Sequence, residues 1–278
     1  MEHTHKKSKK GLVIGIIVLL VLAGGAFAFY AATSSKTVPA MLHVTDGSAT
    51  LNGRTVTGTE KLDEDDVVET QNGHASIYLY ESTVISMAPN TKVTISELIA
   101  AHPKVEQEGG STWSTFTKLA GVEGYDVKMG TTVASVRGTA FELSNGLIVT
   151  GAGTVDYTFD GSTFQVSAGN VVEDGVARVA TAEELARINA HFTNAIQELR
   201  FLRQLELEKH PILVSTVKSV YGIDDAFINQ KLEEADEGKW DVEKARDQAP
   251  IHTDSLDKVA DITKAIQQLN ADMQALNG

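Results

Sequence analysis

The sequence predicts a mainly β domain followed by an α-helical region, tethered by one N-terminal transmembrane helix. Three observations predict it. An uncharged apolar run occupies residues 11–32. Period-two alternation, broken by Asn-Gly and Asp-Gly pairs, then runs from Met41 to Val179. Beyond Val179, apolar residues recur at spacings of three and four.

Composition bounds the functional classes. The chain has 278 residues, a formal net charge of −13, 42% hydrophobic and 22% charged residues, and no cysteine. That length suffices for one large domain or two modest ones with an ample core. Without cysteine there is no disulfide framework, thiolate zinc site or cysteine nucleophile. The acidic balance argues against a nucleic-acid partner, which needs a basic footprint to displace counterions from phosphates.

The first element is the run from Gly11 to Ala32, 22 residues without a charge. As a helix it is roughly 33 Å long, enough for a hydrocarbon core of about 30 Å. Lys6, Lys7, Lys9 and Lys10 precede it and only Lys36 follows closely. The positive-inside bias therefore places residues 1–10 in the cytoplasm and everything after Ala32 outside, a single-pass topology in the cell membrane. A cleaved signal peptide shares the basic start, and Ala26-Phe27-Ala28 resembles its cleavage site. Its apolar core is usually only about 7–15 residues, however. In both readings the body is exported. Without the four early lysines and Glu2 it holds 20 basic against 36 acidic residues, a charge that keeps it soluble and off anionic lipid. Gly11 and Gly15 form a G-x-x-x-G that lets two spans approach, although glycine is common in spans on composition alone. Residues 33–40 read as a polar linker.

The second element is the β-domain, residues 41–180. His74 to Tyr80 alternates, with Ala75, Ile77 and Leu79 on one face. Val93 and Ile95 repeat the pattern after the turn Ala88-Pro89-Asn90, and Val127, Val133, Val136, Phe141 and Leu143 continue it. Further strands fall at 147–149, 154–159 and 163–166. Asp46-Gly47, Asn52-Gly53, Asn72-Gly73, Asn145-Gly146 and Asp160-Gly161 supply turns that accept positive φ. Short strands at this spacing make a sandwich, barrel or roll.

Particular residues in this region resemble the FecR-domain family of bacterial envelope proteins. Leu62, Asp66, Val67, Val68 and Thr70 match its L-x-x-G-D-x-I-x-T strand, with Asp65 where the family carries glycine. Gly73, Ala75, Ser82, Ala88-Pro89-Asn90-Thr91 and Val93 fit the next stretch. Val136-Arg137-Gly138-Thr139-Ala140-Phe141 is similar to the family's V-R-G-T-x-F, and Gly151 to Val155 and Ala168-Gly169 suit its closing strands. Before it, Met129-Gly130-Thr131-Thr132 stands where the family usually has Thr-Pro. The resemblance covers about residues 44–175. It implies a two-sheet roll of β-strands like a short β-solenoid, and no catalytic activity.

The signature residues Asp66, Thr70, Arg137, Gly138, Thr139 and Phe141 are expected to serve the fold. Gly138 suits a position of positive φ or close strand approach. The fork of Arg137 ties carbonyls or a carboxylate together, the alternative being a grip on an anionic ligand. Asp63-Glu64-Asp65-Asp66 lacks the spacing of a calcium loop and reads as a solvated acidic turn.

The third element is the helical region, residues 181–278. Thr181-Ala182-Glu183-Glu184 is a capping box opening a helix to about Lys209. Leu185, Ile188, Phe192, Ala195, Leu199 and Leu202 form its seam, and Pro211 ends it. Further helices are expected over 212–221, 225–237 and 254–276. On the last, Val259, Ile262, Ile266, Leu269, Met273 and Leu276 form the cleanest seam. Seams like these are buried, either against each other in an antiparallel bundle or, for the last one, against a partner or a second copy.

No catalytic arrangement emerges. The eight histidines (3, 5, 43, 74, 102, 191, 210, 252) lack metal-ligand spacing, and nucleophile-elbow and Walker motifs are absent. No metal or cofactor is implied. The expected function is therefore a membrane-anchored, non-enzymatic, extracytoplasmic binding or scaffold module for a protein or cell-envelope ligand. The alternative is a transmembrane signalling regulator of the FecR type. With about ten residues before the span, it would act through a membrane partner or through dimerisation.

Overall fold

The computed structural model describes residues 40–277, except 118–120, 137, 210, 212–214, 216, 217, 220, 221, 223 and 248–253. The expected membrane span, and most of the helix expected over 212–221, lie outside the described residues. Among the described residues no helix is long and apolar enough to cross a membrane.

The described chain divides into two compact units, residues 40–198 with 269–277, and residues 199–268. The first unit is the β-body, built of two nine-stranded sheets. One sheet contains β1 (Ala40–Asp46), β4 (Thr59–Lys61), β6 (His74–Leu79), β7 (Thr83–Met87) and β10 (Ser111–Phe116). It continues with β13 (Ala140–Ser144), β14 (Leu147–Ala152), β17 (Asn170–Glu173) and β18 (Val176–Val179). Their order in space is β4-β1-β6-β7-β10-β13-β14-β17-β18. The other sheet takes the chain segments between these: β2 (Ala49–Leu51), β3 (Arg54–Val56), β5 (Val67–Thr70), β8 (Lys92–Glu97) and β9 (Lys104–Gly109). β11 (Tyr125–Met129), β12 (Thr132–Val136), β15 (Thr154–Phe159) and β16 (Ser162–Ser167) complete it, in the order β3-β2-β5-β8-β9-β11-β12-β15-β16.

The chain thus winds from sheet to sheet, and one core fills the space between them. Leu42, Ile77, Ile85, Phe141 and Ile148 enter it from the first sheet, and Val68, Val93, Val127, Ala134 and Val155 from the second. The strand pairs are antiparallel except β9 with β11, which pair parallel because β10 intervenes in the opposite sheet. Asn52-Gly53 and Asp160-Gly161 make two-residue turns with both φ values positive, matching the right-handed twist of their hairpins. Gly130-Thr131 does the same work between β11 and β12, with Met129 opposite Thr132. A hairpin therefore occupies the place of the family's Thr-Pro.

Helix α1 (Ala182–Glu208) begins directly after β18. Its capping box is formed: the Thr181 amide donates to Glu184 at 2.7 Å, and the Glu184 amide donates to Thr181 Oγ1 at 3.3 Å. Helices α2 (Asp225–Asp236), α3 (Val242–Asp247) and α4 (Asp254–Asn277) follow. The second unit contains the C-terminal end of α1, α2, α3 and the N-terminal part of α4. There the Arg203 fork donates to both Asp236 oxygens, at 2.5 and 3.0 Å, and to Thr263 Oγ1 at 2.9 Å. Arg203 and Asp236 are buried with Leu202, Ile262 and Ile266. Ser255 also donates to Glu206 at 3.0 Å, so α1 and α4 run antiparallel in this unit.

Candidate binding surface

In the β-body the two sheets have opposite fates. β6 buries both faces: Ala75, Ile77 and Leu79 enter the inter-sheet core, while Ser76 and Tyr78 are buried on the other side. The same holds for β10 and β14, whose Trp113 and Val149 are buried outside that core. Helix α1 supplies the cover. Trp113 stacks on His191 with ring centroids 4.7 Å apart and meets Phe192 edge-on at 5.7 Å. Gly151 leaves the room: a Cβ there would stand 2.7 Å from Trp113 and 2.8 Å from Ile188.

Polar contacts pin the same helix. Arg187 Nε donates to Glu142 on β13 at 2.8 Å, and Ser111 Oγ donates to the other Glu142 oxygen at 3.1 Å. Eleven residues further on, Glu198 accepts from Tyr78 on β6 and lies 3.4 Å from His43 Nδ1 on β1. Eleven residues of helix span about 16 Å, close to the roughly 14 Å of three strand spacings from β13 to β6. α1 therefore crosses the strands. Burial, reinforced by the Arg187 charge and opposed by Glu142, holds the His191 imidazole below its ordinary pKa. Burial and the neighbouring Glu198 push the Tyr78 phenol well above its own.

The outer face of the second sheet has no such cover among the described residues. Lys92 pairs with Glu108 at 2.6 Å, and Lys128 with Glu106 at 3.2 Å, across neighbouring strands. Towards β16 the face changes to hydroxyl and amide groups around the single carboxylate of Asp156: Thr154 with Ser167 at 3.2 Å, Thr158 with Thr163 at 3.1 Å, and Gln165 donating to Asp156 at 3.3 Å. This polar, solvent-facing surface is the candidate binding surface.

The signature residues lie elsewhere, within the fold. Asp66 accepts from Asn52 and from the Asp63 amide, each at 2.7 Å, holding the acidic turn before β5. In that turn Asp65 has φ +68°, the conformation for which the family pattern carries glycine. Thr70 Oγ1 donates to the Ala88 carbonyl at 2.6 Å and accepts the Thr91 amide at 3.0 Å, joining β5 to the β7–β8 turn. Gly138 has φ +108°. Thr139 is buried beside Gly153, where a Cβ would stand 2.5 Å from the Gly138 carbonyl. Phe141 is fully buried in the core, and Arg137 lies outside the described residues. On α4, Ile262, Ile266 and Leu269 are buried, while Val259, Met273 and Leu276 are half-buried. The chain itself covers the middle of that seam. Among the described residues no cluster of three or more metal-ligating side chains occurs.

The sequence reading did not single out Glu142, Trp113 or Tyr78, because their partners stand 45 to 120 residues away along the chain. The only local signal is the spacing of four between Arg187 and His191, which sets them on one helix face.

Comparison with known proteins gives one family. Residues 65–172 match the model described as FecR protein. Two crystal structures of a proposed anti-sigma factor from Parabacteroides distasonis ATCC 8503 are similar at 16% identity, with TM-scores of 0.38 and 0.37. Each match covers 43% of this chain and 62% of that one. No curated protein matches.

Proposed function

We propose, from the premise that residues 65–172 form a FecR-family domain, that this protein is a non-enzymatic binding module displayed outside the cell membrane. Residues 11–32 tether it, and the open outer face of the second sheet meets a protein or envelope polymer. One observation carries this reading: the protein covers one sheet with its own helix α1 and leaves the other open, with side chains that hydrogen-bond readily. A photo-crosslinking residue at Lys128, exposed on β11, is expected to give a defined adduct in intact cells, and the same residue at Gln197, exposed on α1, is not. No adduct at 128, or equal labelling at both, overturns the reading. Protease added outside the cells is expected to digest the body. A body protected from it overturns the topology.

A second reading, favoured by the FecR match itself, is a signalling regulator that works through a membrane partner or through dimerisation. It requires a transcriptional response that disappears when the chain is deleted and returns with the full chain. The binding module alone requires none.

A further inference from the structure

The β-body has two ends, each made of one edge strand from either sheet, and they are built differently. At one end stand β3 and β4, each three residues long. Arg54 on β3 reaches Glu60 on β4 at 3.3 Å, and Lys61 pairs with Asp63 at 2.7 Å. Short strands carrying charge are the usual guard against edge-to-edge pairing. At the other end stand β16 and β18. Phe159, at the end of β15, comes within 3.4 Å of where a Gly175 Cβ would lie in the β17–β18 turn, so the two edges close the same end.

This second end carries no charged guard on its β16 edge, where Asn170 Nδ2 caps the strand by donating to the Ser167 carbonyl at 3.2 Å. β16 is six residues, Ser-Thr-Phe-Gln-Val-Ser, with no charge and no proline. No strand of the described chain pairs with its far side. Across the core on β18, Val176 is 65% exposed and Val179 73% exposed, two of the three large hydrophobics exposed among the described residues. The one charge on that strand, Arg178, is engaged by Glu173 and Glu184, each at 2.7 Å.

We infer that this end is a self-association surface, on which β16 pairs antiparallel with β16 of a second copy of this chain. The occupant follows from the strand's own symmetry. Its pairing with β15 sets Thr163, Gln165 and Ser167 on the outer face, opposite Thr158, Asp156 and Thr154, with Phe164 and Val166 on the core side. A two-fold axis at Gln165 sets Gln165 against the copy's Gln165 and Thr163 against the copy's Ser167. It sets Phe164 against the copy's Val166, an aromatic–β-branched pair of the kind that stabilises sheets. Every residue meets one of like polarity, and no charge faces a like charge across the seam. The two Asp156 carboxylates stand three strand spacings apart, roughly 14 Å, beyond the screening length of about 8 Å in physiological salt. A six-residue seam with two valines is small beside the roughly 1,000 Å² of a durable interface, so the pairing is weak between free molecules and is favoured by confinement in one membrane.

The cysteine-free chain makes the test clean. Full-length protein carrying Gln165→Cys in liposomes is expected to form a covalent dimer under mild oxidation. Thr55→Cys, also exposed, on β3 at the guarded end, is expected to form none. Adding Val176→Asp and Val179→Asp to the Gln165→Cys chain, at positions too exposed to disturb folding, is expected to abolish the dimer. Absence of the dimer at position 165, equal yields at 165 and 55, or a dimer indifferent to the two aspartates overturns the inference.

Discussion

Thr70 illustrates what the signature positions do at the scale of a single side chain. Its hydroxyl donates to one backbone carbonyl and accepts one amide of the β7–β8 turn, with Thr70 and Thr91 buried and Ala88 half-buried. Thr70→Val keeps the shape and strands both groups, an expected loss of about 1–3 kcal/mol in urea unfolding. Thr91 repeats the device one rung on, its hydroxyl donating to the Ser111 carbonyl and accepting the Ser111 amide, both at 3.0 Å. That Thr70 belongs to a strand was legible from the match of Leu62, Asp66, Val67, Val68 and Thr70 to the FecR family's strand pattern. Its two backbone partners were not, because they arrive from a turn 18 to 21 residues away. Asp65 shows the converse: the residue departs from the family pattern while its backbone keeps the left-handed conformation the pattern requires.

Among the elements, α1 carries the most consequence. Hydrogen bonds from Arg178 first, and then from Thr181, hold the Glu184 carboxyl down to about 2. A carboxylate held low in the folded state stabilises fully above the ordinary glutamate range, and that stabilisation is lost as pH falls from about 5 towards 2. Glu184→Gln is therefore expected to lose on the order of 1 kcal/mol at pH 7 and to show a flatter stability profile through that acid window, measured by denaturant titration at several pH values. Gly151→Ala tests the seating of the helix. The added methyl meets Trp113 and Ile188 at under 3 Å, an expected cost of about 1–3 kcal/mol with a red shift of Trp113 fluorescence. The seam Ile188, Phe192 and Ala195 was legible from its spacing. Its target was not: period marks an apolar face, but nothing in the order of residues distinguishes a facing sheet from a facing helix. β9 was missed for a related reason. Lys104, Glu106 and Glu108 point outward and conceal the alternation of Val105 and Gln107 facing in.

At the scale of the whole molecule, charge and winding set the behaviour. The net charge of −13 makes two copies repel at a distance. Raising salt from 0.01 to 0.15 M shortens the screening length from about 30 to about 8 Å, so the yield of the Gln165→Cys dimer is expected to rise with salt; a fall would mean that opposite charges hold the copies together. The β-rich body and the later change to helices were both legible, since turn pairs such as Asn52-Gly53 and Asp160-Gly161 punctuate the strands directly, while the division into two sheets came from the resemblance to the FecR family. The alternation between sheets was not, because it depends on which non-adjacent segments pair. One result of that winding is mechanical. β1, the first strand of the body, lies inside its sheet, bonded to β4 on one flank and β6 on the other. A pull along its axis from Ala40 loads both ladders in shear, so their bonds share the force, whereas an unzipping hairpin breaks its bonds in succession. Traction at that end would therefore reach the body as a whole before it freed the first strand.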